Sequence, residues 1–142
     1  MAVYSLANLT TATGAAAATL ELRTASTDRG KVLEVGWFLN AATASTHGIG
    51  RPAAIGVTPT SPITWLAEDP AEAAGTLQTA LAWGTGPTVP ANFFRRVALP
   101  AVIGAGVILT FPLPLVIAIS SSLVIWNIAA SSELNAHMKG DD

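Results

Sequence analysis

The sequence predicts an all-β protein, a single-domain antiparallel β-sandwich of jelly-roll type, and three observations carry that expectation. Val97 to Ser132 holds thirty-six residues without one charged side chain, yet Pro100, Gly104, Gly106, Pro112 and Pro114 cut the stretch into strand-length pieces. Repeated Pro and Gly in a Val/Ile-rich background break a membrane helix and favour strands buried on both faces. Thr19 to Arg23 and Lys31 to Asn40 alternate apolar with polar residues at the period of a half-buried strand. Short strand-like runs recur with turn residues between them, as in sandwiches and jelly rolls.

Taken in order, Val3 to Leu9 alternates loosely and ends at Thr10, Thr11, Thr13 and Gly14, a first strand and its loop. Ala15 to Ala18 is too short for a helix. After the strand Thr19 to Arg23 and a turn at Ser26 to Gly30 comes Lys31 to Asn40. There Leu33, Val35, Trp37 and Leu39 point one way and Glu34, Gly36 and Asn40 the other. Ala41 to Ser45 is a turn of small residues, Thr46 to Arg51 a strand stopped by Pro52, and Ala53 to Ser61 a loop. Ile63 to Leu66 is a brief apolar piece. Asp69, Pro70 and Glu72 offer a cap, a first-position proline and an early acid, the start of one helical turn ended by Gly75. Leu77 to Trp83 is read as strand, because Thr76, Thr79 and Trp83 favour it. Gly84 to Pro90 is a loop. Four strands complete the chain, Asn92 to Leu99, Val107 to Phe111, Leu115 to Ile119 and Leu123 to Ile128, with a turn at Ser120 to Ser122 and a loose polar tail over 139–142.

A chain of 142 residues makes one domain, spanning 1–142, that buries roughly two thirds of its unfolded surface. Only 16 residues are charged, about half the usual fraction, which points to a surface that faces other protein. A net charge of −2 supplies no basic field, so no nucleic-acid partner is expected. There is no cysteine, hence no disulfide and no thiolate zinc site. Met1 to Leu9 has neither the positive charge nor the apolar core of a secretion signal, and folding inside the cell is expected.

No catalytic constellation stands out. His47 and His137 are ninety residues apart and are expected to be a turn and a strand-end histidine bonded to backbone, not ligands. Glu68, Asp69 and Glu72 lack the oxygen-rich spacing of a calcium loop. Gly48 to Pro52 and Gly104 to Gly106 lack the lysine and following helix of a phosphate loop. The expectation is therefore no enzyme, no cofactor and no metal. Trp37 and Trp126 lie mid-strand and are assigned to the core. Trp65 and Trp83 border loops, and with Phe93, Arg95 and Arg96 they are the candidate interface residues. Along a strand one of the two arginines should turn inward and need an acidic partner or a subunit boundary.

Several stretches carry a family resemblance: Lys31 to Gly36 running into Asn40 to Ala44, Gly48 to Ala53, Ala67 to Pro70, Pro87 to Val97 and Ser121 to Asn127. In this order, from about Arg23 to Asn127, the chain resembles small virion structural proteins of tailed bacteriophages that decorate or cement the capsid. The resemblance implies a β-sandwich without cofactor that binds the major capsid protein lattice and copies of itself. A homo-oligomer, a trimer where it matches the lattice, is expected on the capsid exterior after assembly in the host cytoplasm. Strand edges and the charge-free third of the chain call for such cover. The loops Ala53 to Trp65 and Gly84 to Asn92 are the expected contacts. A tail, neck or fibre-associated virion protein would share this composition. A membrane lysis protein spanning Val102 to Ile119 is disfavoured by Pro112 and Pro114, and a carbohydrate-binding module would need Trp65 or Trp83 exposed.

Overall fold

A computed structural model describes residues 2–130 and 132–142. Met1 and Ser131, the latter inside the charge-free run, lie outside the described residues. Four strands come first, β1 (Tyr4–Leu9), β2 (Ala17–Arg23), β3 (Gly30–Leu39) and β4 (Ser45–Gly50). An excursion holds the short β5 (Val57–Thr60), β6 (Leu66–Ala67), β7 (Gln78–Ala80) and β8 (Ala82–Thr85). The chain then returns through β9 (Arg95–Leu99), β10 (Gly106–Ile117), β11 (Ser122–Ala129) and β12 (Leu134–Asp141).

The eight long strands form an antiparallel ribbon folded back on itself, β1 on β12, β2 on β11, β3 on β10 and β4 on β9. Rolled up, the ribbon gives two facing sheets, β10-β3-β12-β1-β6 and β7-β2-β11-β4-β9, while β5 and β8 pair separately. This is the jelly-roll winding, and the sandwich the alternation predicts is what the chain forms. Among the described residues no helix is long and apolar enough to cross a membrane.

Period-2 side chains from both sheets fill the space between them. Leu20, Leu22, Trp37, Leu39, Ile49, Ile125, Leu134 and Met138 are all buried there. On β3 the register slips opposite both Lys139/Gly140 and Thr110/Leu115. That irregularity places Val32, not Leu33, in the core. The second sheet has a core on its other face as well, where Ala18, Val124 and Trp126 pack with Trp83 of the excursion, Phe93 just before β9 and Ile128 of β11 itself. β11 is thus buried on both faces, as its unbroken apolar run requires.

Several expectations are corrected. Asp69 to Glu72 forms a turn in which Asp69 accepts from the Ala71 amide at 2.9 Å, because Ala73, Ala74 and Gly75 give a helix nothing to bury. Residues 53–61, expected as loop, contain β5, and the 77–83 strand is split at Leu81 between β7 and β8. The two pieces expected around Pro112 and Pro114 are one edge strand, β10, where a missing amide costs no ladder bond. The polar tail is no tail: β12 pairs with β1 on one side and β3 on the other.

His47 is no turn residue. It sits in β4, fully buried, with Nε2 2.7 Å from Ser45 Oγ. Burial pushes its pKa down to about 4. The unfolded chain takes up this proton near pH 6.5, the folded one only near pH 4. Stability present above pH 6.5 is therefore lost as pH falls through that window, by up to about 1.4 kcal/mol per unit. A His47→Gln variant is expected to show a smaller fall in Tm between pH 7 and pH 4.5 than the parent; an equal fall would contradict the assignment.

Candidate interaction surface

The excursion decides which predicted contact residues are free. Trp65 is only 6% exposed and stacks on Tyr4 with ring centroids 6.1 Å apart, in space that a side chain at Gly75 would fill. It is core, not interface. Trp83 is half-buried, and its Nε1 donates to Glu21 Oε2 at 2.6 Å. Glu21 is fully buried and also accepts from the Gly56 amide at 3.3 Å, with Arg23 3.8 Å away. A Cβ at Gly56 would lie 2.3 Å from the Trp83 ring, so only glycine admits this clamp. Phe93, half-buried, belongs to the second sheet's outer core. Three of the five candidates are thus committed within the chain.

Arg95 and Arg96 are different: both are exposed, so neither needs the internal acid that strand alternation predicts. Arg96 lies over the Phe93 ring, 5.8 Å from its centroid. Arg95 borders a groove of about 340 Å³ with Phe94, Thr110, Phe111, Pro112, Leu113 and Leu115. Arg51 crosses this side of the sandwich, its guanidinium 4.8 Å from the Phe94 ring centroid and bonded to the Val116 carbonyl at 2.8 Å. Among the described residues none of the three guanidiniums has a carboxylate within ion-pair distance.

Apolar exposure concentrates on the same side. Of eleven exposed large hydrophobics among the described residues, six fall between Val102 and Ile119, with Ile103 67% and Leu113 86% exposed. They lie on β10 or beside it, at the rim of the first sheet, and the charge-free run that predicted cover is here uncovered. Pro112, Pro114 and the Arg51 contact blunt the C-terminal half of this rim, while Gly106 to Thr110 presents open ladder groups. The sequence carried a sign of this in its two prolines, since a proline-bearing strand belongs at an edge.

The opposite rim is acidic. Glu68 accepts from Ser5 Oγ at 2.6 Å and from Lys139 Nζ at 2.9 Å, contacts that hold its carboxyl below the usual range. Lys31 pairs with Asp141 at 3.1 Å. Asp69 and Glu72 are exposed, and Asp142 accepts from the Thr76 hydroxyl and amide. Burial, and after it the negative field of Asp142, Glu72 and Asp141, raises the Tyr4 pKa. Between the rims, the first sheet's outer face is bare. His137, mid-strand on β12, stacks with Phe38 and faces Glu34 at 3.1 Å. Among the described residues no three His, Cys, Asp or Glu side chains are grouped to hold a metal.

No protein-family model, curated protein or solved structure matches this chain.

Proposed function

We propose that the chain is a non-enzymatic virion structural protein of a tailed bacteriophage. In this reading it decorates or cements the capsid from outside, binding the major capsid protein lattice and further copies of itself, as a trimer where lattice symmetry calls for one. The observation that carries the reading is the open β9/β10 side, where large apolar side chains lie beside Arg51 and Arg95, with Arg96 on the outer face of the same edge strand and none of the three in an ion pair among the described residues. Such a surface is protein-binding in character, with arginine and apolar anchors at its centre. The resemblance of the stretches between Arg23 and Asn127 supplies the phage context. The jelly roll adds an analogy at the level of fold alone, since viral capsid domains use it among others. Repeated weak contacts on a lattice give strength by avidity, with no single tight site required. A carbohydrate-binding reading loses its main support, because Trp65 is buried and Trp83 is half-buried with its Nε1 bonded to Glu21.

The test is reconstitution. Purified protein added to particles that lack it is expected to bind and to restore resistance to heat or chelator. Protein that never binds such particles contradicts the reading.

A further inference from the structure

The two rims of the first sheet are complementary in charge, apolarity and strand polarity, and the ladder registers place the complementary groups on the same rungs. Gly106 pairs with Phe38, Phe38 with Asn135 and Asn135 with Leu9; two rungs on, Ile108, Gly36, His137 and Ala7 align. The open edge of β10 at Gly106 to Ile108 is therefore level with Ala7 to Leu9, in the part of β1 that β6 leaves unpaired. Towards the other end, Val116, Lys31 and Asp141 align. There Arg51 holds the Val116 carbonyl on one rim, and Glu68 is bonded to the Val3 carbonyl on the other. The arginine end of one rim is thus level with the acidic end of the other. Because β10, β3, β12 and β1 alternate in direction, a copy translated along the ladder presents β1 antiparallel to β10.

We infer that the β10 rim of one copy docks on the β1/β6 rim of a second copy of the same chain, head to tail, an inference that rests on the self-association proposed above. Arg51, Arg95 and Arg96 meet the surplus acids Asp69, Glu72 and Asp142, while Ile108 and Leu113 meet the exposed Leu9 and Leu66. The first sheet runs on from copy to copy through strand addition. A head-to-tail contact closes into a ring or continues as a filament, according to the rotation that sheet twist imposes.

The test uses two variants with exposed substitutions: one carries Arg95→Glu with Arg96→Glu, the other Asp69→Lys with Glu72→Lys. By sedimentation velocity at low salt, the parent is expected to assemble and each variant alone to self-associate on the order of 100-fold more weakly. Each variant keeps one native rim and reverses the charge of the other, so in an equimolar mixture native rim meets native rim and reversed rim meets reversed rim, and alternating assembly is expected to return. A monomeric parent, variants that assemble unaided, or a mixture that stays monomeric overturns the inference. Parent protein that assembles this way yet never binds particles contradicts the virion reading alone. Parent protein that binds particles as a monomer contradicts the interface alone.

Discussion

Trp37→Ala is expected to lower stability by about 3–5 kcal/mol, a large share of what holds a domain of this size together. Trp37 is fully buried at the centre of β3, between β10 and β12, and packs into the core that both sheets share. Truncation removes the largest apolar surface of that layer and leaves a cavity that neighbouring strands cannot close without breaking ladders on both sides. Among the described residues its indole Nε1 has no hydrogen-bond partner, so the loss is one of packing, and Trp37→Phe should recover most of it. Chemical denaturation reads the difference; an unchanged midpoint would mean that this face of β3 is not core.

Glu21→Ala is expected to cost about 3–5 kcal/mol by a different route, because removing one member of a buried polar cluster strands the others. Trp83 Nε1 and the Gly56 amide both donate to this one buried carboxylate, and Arg23 leans on it while bonding the Gly56 carbonyl at 2.9 Å. The carboxylate is what ties the β5/β8 ribbon to the second sheet. Its loss should free the ribbon, expose Trp126 and open residues 55–85 to protease, whereas Trp37→Ala should raise cleavage throughout the chain. A Glu21→Ala protein with parental stability and no new cleavage in the ribbon would refute the clamp.

The sandwich was legible because period-2 alternation reports burial directly, and β2 and β3 carry it almost without interruption. β12 carries it too: Leu134, Ala136 and Met138 face the core and Asn135, His137 and Lys139 the open side. The polar residues at its end hid a strand whose stability comes from ladders on both edges. The interface residues were harder to read, because bordering a loop says nothing about where the loop goes. The excursion folds back on both sheets, setting Trp65 against Tyr4 of β1 and Trp83 against the second sheet beside Phe93, and leaves Arg95 and Arg96. Leu113, Ile108 and Arg51 went unread, since only the winding of the ribbon sets β10 at a rim beside β9. The charge-free run has two fates for the same reason: β11 is central in its sheet and buried on both faces, β10 is not.

The central claim, that the β9/β10 side is where this protein meets other protein, is tested most directly by amide hydrogen exchange measured on dilute and on assembled parent protein. Assembly is expected to slow exchange at Gly106 to Thr110 and around Arg95 on one rim, and at Ala7 to Leu9 on the other, leaving the β5/β8 ribbon unchanged. Slowing confined to the ribbon or to the outer face of the first sheet, with Gly106 to Thr110 exchanging as fast in the assembly as in the free chain, would contradict it.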